Sequence, residues 1–447
     1  MYNYQMNKVT QIATKLIAPL LVVSFVSGCQ SVVTQPSDRF SMQNMFRAQS
    51  PFTKVSSFAV CQQTSCAESR ITSSEILAAA KDGLTLIYTD SPRKSIGFLD
   101  ISDTANPSSL GRLSMPGEPT SVATTDRYAL VVVTTSKLRS EPTGVLAVVD
   151  LESREIVTTL PLTGQPDSIA ISPDGNYAAI AIENERDYGL NNGDMPQTPA
   201  GEVMIFDISA DQPESWSSSL VDISGLARQF PDDPEPEYVD INQANQVAVT
   251  LQENNHLVVI DLNSATLTSD FTTGRTRVQI VYEQTGSRGI QRSITAPREP
   301  DGTSWLGNDF IVTADEGGYY GGTDTVTIFN ISGDVIWSSG DTMKRVVRAI
   351  GREQQVLDKG AQPENIEVAT FTDNVTYMFA NVEKADIVLV YDATEPTSPE
   401  LVQILDTPRG PEGGLAIPAR NLFIVASEED DPEATRSQIH IFEYQGK

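Results

Sequence analysis

Ten acidic residues recur in pairs along the chain: Asp167 with Glu183, Glu237 with Glu253, Glu299 with Asp315, Glu364 with Glu383, and Glu412 with Glu428. Four of the five pairs are sixteen residues apart. Turn-forming tetrads such as Pro173-Asp174-Gly175-Asn176, Leu306-Gly307-Asn308-Asp309 and Pro418-Ala419-Arg420-Asn421 lie near their midpoints, so each pair is expected to fold back side by side at one end of a hairpin. Carboxylates held together raise one another's pKa unless a cation or basic side chains neutralise them. A hard divalent ion suits such a set, Ca²⁺ first, because it accepts many oxygen ligands in loose geometry. All ten acids are therefore candidate metal ligands, with more oxygens following in Asn184, Glu185, Asn254, Asn255, Glu316 and Glu429. The alternative is neutralisation by the chain's own bases. Arg275, Arg277, Arg288, Arg292 and Arg298 lie in one insertion, and Lys344, Arg345, Arg348 and Arg352 in a helix expected over 341–352. There Met343, Val346, Val347 and Ile350 supply the apolar face.

The elements that must position these acids repeat seven times. Each unit reads as an apolar strand, a polar turn, a second apolar strand, a variable loop and a third strand. The third strands close on Asp100, Asp150, Asp207, Asp261, Asn330, Asp392 and Glu443, at intervals of 50 to 69 residues. Short strands at this spacing, with few helical stretches, predict an all-β fold: a single seven-bladed β-propeller over 52–447. Fourth strands follow most units, for example 155–162, 266–273 and 400–405, but the chain ends directly after the seventh third strand. An open edge there invites pairing, and the strand-like stretch 52–60 is expected to supply the missing strand and close the ring. In a propeller the first strands line the central channel. The acids before first strands and after second strands should then converge on one channel mouth.

The search for catalytic groups is otherwise sparse. The chain holds two histidines, His256 and His440, both expected at the start of third strands, where a structural role is the ordinary one. There is no Gly-x-Ser-x-Gly elbow, phosphate-cradling glycine loop, His-Glu-x-x-His or dinucleotide fingerprint. The run Gly317-Gly318-Tyr319-Tyr320-Gly321-Gly322 reads as a turn whose tyrosines could stack on a ligand.

The first 28 residues carry Lys8 and Lys15 ahead of the apolar run 17–26, which ends in Val26-Ser27-Gly28-Cys29. This resembles a bacterial lipoprotein signal with its lipobox. It implies cleavage before Cys29, lipidation of that cysteine, a flexible tether over 29–51, and attachment to the outer membrane, facing the periplasm or the cell surface. The remaining cysteines, Cys61 and Cys66, are expected to form a disulfide in an oxidising compartment. A formal charge of −28 repels nucleic acid and anionic lipid surfaces.

The strings Ile169-Ala170-Ile171-Ser172-Pro173-Asp174-Gly175, Thr250-Leu251-Gln252-Glu253-Asn254-Asn255, Thr313-Ala314-Asp315-Glu316-Gly317, Pro363-Glu364-Asn365-Ile366-Glu367 and Gly410-Pro411-Glu412-Gly413 together resemble the choice-of-anchor I family of exported propellers. Those are loosely related to YVTN-type and phytase-like propellers, and some members carry an alkaline phosphatase label. The resemblance implies an extracytoplasmic seven-bladed propeller. Two functions follow as expectations. One is a lipid-anchored binding module that holds a protein, glycan or small ligand at an acidic, Ca²⁺-binding mouth. The other is a metal-dependent phosphoester or ester hydrolase, which would need cationic side chains beside the metal; Arg298, Arg409 and Arg420 are the candidates.

Overall fold

The computed structural model describes residues 50–284, 287–357 and 360–446. The signal segment, Cys29 and nearly all of the tether lie outside the described residues. Seven four-stranded antiparallel sheets form the seven blades of a propeller, and a separate two-stranded ribbon, Arg275–Gln284 with Ser287–Pro297, stands between the fourth and fifth. Blades 1 to 6 take their four strands in sequence order from 77–114, 118–162, 166–221, 236–272, 303–338 and 363–406.

The second and third strands of each blade are rich in Val, Ile and Leu and buried along nearly their whole length, as in Tyr128–Thr134 and Ile387–Asp392. Outer strands alternate, as in Glu155–Leu162, because only one face meets the neighbouring blade. The helix Thr342–Ile350 buries Met343, Val346 and Val347 against blades 5 and 6.

Blade 7 closes the ring as its open edge demanded. Its order runs from Pro411–Ile417 through Leu422–Ser427 and Gln438–Tyr444 to the N-terminal strand Phe52–Ala59. Phe52 pairs with Tyr444 and Ala59 with Gln438. Phe52 is the bolt of this closure. Its ring sits 5.0–5.3 Å from those of Phe371, Tyr377, Phe379 and Tyr444. The Gln403 side chain accepts from its N–H at 2.9 Å and donates to its C=O at 2.7 Å. Burying such a ring contributes roughly 1.5–3 kcal/mol. Just beyond this strand, Cys61 and Cys66 form a disulfide around a short turn.

Candidate functional site: an acidic channel mouth

A local rule places the acids. In blades 3, 4, 6 and 7 the innermost strand opens on Pro166, Pro236, Pro363 or Pro411, paired with Ile182, Leu251, Val382 or Ser427 of the second strand. The register then shifts within three residues of each proline. Proline has no N–H for the ladder and is tolerated at a strand's first residue or at a bulge, and a bulge re-aims the side chain that follows. The side chains so re-aimed are Asp167, Glu237, Glu364 and Glu412. They line a channel cavity of about 250 Å³ with Asp301 of blade 5 and Glu75 of blade 1. Blade 2 contributes Thr120, so six of seven blades offer a carboxylate and one does not.

A second tier follows the second strands, where Glu183, Glu383 and Glu428 succeed the proline partners and Gln252 takes that position in blade 4. The two tiers meet as two carboxylate trios, Asp167 with Glu183 and Glu237, and Asp301 with Glu316 and Glu364. Within each trio one oxygen per residue lies within 4.8 Å of the others. At that separation each pair of bare charges repels by about 3–4 kcal/mol at an effective dielectric near 20. Among the described residues, no Lys or Arg forms an ion pair with either trio; Glu316 receives only the side-chain amides of Gln252 and Gln362.

The pKa values follow from this crowding. Burial, then the charges of Asp301 and Glu75, push Asp167 up to about 8. Burial, then Asp301, push Glu316 up to about 8. Burial first, then a neighbouring carboxylate, raise four more acids well above the ordinary range: Asp167 acts on Glu183, Glu183 on Glu237, Glu316 on Glu364 and Glu428 on Glu412. Burial takes Asp301 to about 6, held lower by a hydrogen bond with Glu364 that raises the latter, the pattern of one carboxyl donating to the other. Glu428 is raised to about 7 by burial and by Glu383 and Glu75. Glu383 has Lys384 as an ion-pair partner.

Three of the ten sequence candidates sit elsewhere. Glu253 and Glu235 share the buried Arg186 guanidinium at 2.7 and 2.9 Å, an ion triad the sequence did not announce. Asp315 faces away from the channel and accepts from the hydroxyls of Thr313, Thr325 and Thr327, with Arg298 at 3.6 Å. Glu299 accepts from the backbone N–H groups of Gly318 and Tyr320. In blade 5 the channel positions are instead Asp301 and Glu316. The missed signal was proline: Pro300-Asp301 repeats the dipeptide of the other blades, whereas the sixteen-residue spacing selected Glu299 and Asp315. Glu75 lacks a preceding proline and had no such signal.

The bases expected to serve a phosphoester substrate are engaged at other places. Arg298 is buried against Asp315 and donates to Thr273 O and Thr327 Oγ1. Arg420 donates to the carbonyls of Gly83, Ile101 and Ser102 at the far end of the propeller. Arg409 pairs with Glu429 on the surface. The histidines are structural in setting: His256 bonds to Asp270 at 3.1 Å, and His440 lies 3.0 Å from the Lys54 amine.

Comparison with known proteins agrees with this architecture. The β-propeller domain of Myceliophthora thermophila Cps50 (Swd1) superimposes with a TM-score of 0.54 at 10% identity, covering 88% of this chain and 100% of that one. Hydrazine synthase of Kuenenia stuttgartiensis gives a TM-score of 0.56 at 14% identity, covering 84% and 97%. The WD40 repeats of RRP9 give 0.57 at 9%, covering 84% and 95%. At these identities the likeness is one of fold alone. No curated protein matches the chain. The model of the choice-of-anchor I domain matches residues 75–350, more than half of the sequence, and the chain belongs to that family.

Proposed function

We propose that this propeller is an extracytoplasmic binding module whose channel mouth is organised by a divalent cation, Ca²⁺ in the first instance. One observation carries the reading: two trios of carboxylates, each with oxygens within 4.8 Å, meet at the channel, and among the described residues no Lys or Arg forms an ion pair with either, Arg139 acting on Glu183 only through its charge. Protons or cations must supply the missing charge, and an oxygen-only donor set with loose geometry suits Ca²⁺ better than Zn²⁺, which takes Cys and His. Asp167, Glu183 and Glu237 would hold one ion, and Asp301, Glu316 and Glu364 a second. The lipobox supports delivery through Cys29 to the outer membrane, and membership of a family of exported propellers supports work outside the cytoplasm. The propeller would then act by holding a partner, with no nucleic acid role. Arg298 and Arg420 are engaged elsewhere and Arg409 is paired with Glu429, which disfavours the hydrolase reading.

The test is a thermal melt of the full chain in EDTA and then in Ca²⁺ or Mg²⁺, repeated with Glu237→Gln and Glu364→Gln. The expected outcome is a Ca²⁺-dependent rise in Tm that both variants diminish. Melting that ignores Ca²⁺ in all forms would sink the cation reading.

A further inference from the structure

Beside the channel mouth, three loops build a second surface that the carboxylates do not explain. They are 184–201 after the second strand of blade 3, 222–235 leading into blade 4, and 316–324 in blade 5. Side-chain contacts lace them together. Arg186 lies 5.1 Å from the Tyr188 ring and 5.5 Å from that of Tyr319. Tyr319 meets Tyr320 and Phe230 edge-on at 4.9 Å, and its hydroxyl donates to Asp194 at 3.1 Å. The result is a row running Tyr188, Arg186, Tyr319, Tyr320, linked by contacts of 5.1, 5.5 and 4.9 Å.

Two features separate this row from ordinary surface aromatics. First, its two end rings are exposed: Tyr188 at 60% and Tyr320 at 57% are the most exposed aromatic residues among the described ones, with Arg186 buried between them. Second, it is rigidly seated. Arg186 is buried and tied to Glu235 and Glu253. Glu299, with no exposed surface, spends its carboxylate on the N–H groups of Gly318 and Tyr320 at 2.8–3.1 Å. In the same loop Gly322 approaches the Glu316 carbonyl so closely that a Cβ would stand 1.8 Å from it, which fixes the loop's shape and requires glycine. Holding solvent-facing rings in one conformation removes the ordering cost a ligand would otherwise bear.

We propose that this ledge binds a neutral oligosaccharide by stacking sugar rings on Tyr188 and Tyr320. The inference rests on the reading of the propeller as a binding module, but not on the cation. Charge selects the ligand class. An anionic polymer is repelled by a chain of charge −28. A cationic peptide would meet the guanidinium groups of Arg139 and Arg186, which already lie 5.7 and 5.1 Å from the Tyr188 ring, whereas a neutral sugar meets no such like-charge repulsion. The apolar C–H face of a pyranose needs a flat ring and no charge. Its hydroxyls need donors and acceptors at the rim, where Asn191, Asn192 and Asp194 stand exposed.

The test is calorimetric titration of the full chain with maltohexaose, cellohexaose, mannohexaose and chitohexaose, with hexalysine and an oligogalacturonate as charged controls, each with and without EDTA. At least one neutral hexasaccharide should bind saturably. The double variant Tyr188→Ala, Tyr320→Ala should weaken it at least about tenfold at unchanged Tm, as two lost stacking contacts require. Tyr320→Phe, which keeps the ring face, should bind within about twofold of wild type, where about 1.4 kcal/mol would be tenfold. Should the double variant melt lower, Tyr320→Ala compared with Tyr320→Phe decides. No binding to any neutral member, binding to hexalysine alone, or binding indifferent to the tyrosines would overturn the proposal. Glycan binding that survives EDTA in a protein without a Ca²⁺ response would leave the ledge standing and remove the cation reading.

Discussion

Asp315 and Glu316 are consecutive residues with opposite circumstances. Asp315 is the last residue of the strand Phe310–Asp315, where side chains alternate between faces, and Glu316 is the first residue beyond it. Asp315 therefore turns into the blade, where three threonine hydroxyls and Arg298 meet it. Glu316 turns to the channel, where Asp301 and Glu364 crowd it and only glutamine amides donate. Both acids have raised pKa values through burial. What separates them is whether the chain itself provides the compensating charge. Where it does, the acid is part of the scaffold; where it does not, the charge must come from outside. Burial alone would have put both residues in one class.

The sharpest way to break this comparison is to neutralise each acid in turn. Asp315→Asn strands the buried Arg298 and should cost about 3–5 kcal/mol, read as a lower denaturant midpoint. Glu316→Gln removes a charge from a repelling trio and should be neutral or stabilising in EDTA. Equal losses from the two variants would show that channel and scaffold acids are not distinct.

A smaller effect is expected from the cation. A ligand present at about a hundred times its Kd stabilises by about 2.7 kcal/mol. Asp167→Asn combined with Glu237→Gln should abolish the Ca²⁺-dependent share attributable to the first trio and leave that of the second. Calorimetry would then read half the wild-type stoichiometry. Unchanged stoichiometry would place the ions outside the trios.

The pH dependence has a definite sign. Asp167, Asp301 and Glu316 have folded pKa values of about 8, 6 and 8, all above their unfolded values near 4. Over that interval the folded state binds more protons than the unfolded, so in EDTA stability falls as pH rises from about 4 to 8. A cation displaces those protons, so its stabilising effect should grow over the same range. Melts at pH 5 and pH 8, each with EDTA and Ca²⁺, test this. A Ca²⁺ shift no larger at pH 8 than at pH 5 would contradict the raised carboxylates.

These contrasts also explain what the sequence revealed. The blades were legible because apolar second and third strands recur with polar turns between them, and the closing strand because the seventh unit reads as three strands and 52–60 as a fourth. Seven of the ten candidate acids lie in the two tiers of the mouth because hairpin spacing reports which end of a blade a residue occupies. A fixed spacing does not report how each hairpin is built: in blade 5, whose inner pair has no register shift, the channel acids Asp301 and Glu316 are 15 residues apart, and a spacing of sixteen selected Glu299 and Asp315 instead. In blade 4 the tier position is Gln252, and Glu253 belongs to Arg186. Partner identity was the other illegible quantity. The threonines around Asp315 and the arginine between Glu235 and Glu253 converge from segments distant in sequence.

The smallest predicted effect concerns Glu299, an acid of the scaffold kind placed at the edge of the mouth. Burial first, then the charge of Glu253, raise its pKa to about 7, while the Tyr320 and Gly318 N–H groups draw it down. Glu299→Gln keeps the shape but offers one acceptor oxygen where two now serve these N–H groups. Hydrogen bonds to a charged group contribute about 1.5–3 kcal/mol and neutral ones about 1 kcal/mol, so the loss should be about 1 kcal/mol. It should appear locally, as faster hydrogen exchange at the amides of Gly318 and Tyr320 with little change in global Tm. The Ca²⁺ response should be untouched, because Glu299 belongs to neither trio. A variant that lost the Ca²⁺ response while keeping those amides protected would move Glu299 from the scaffold to the site.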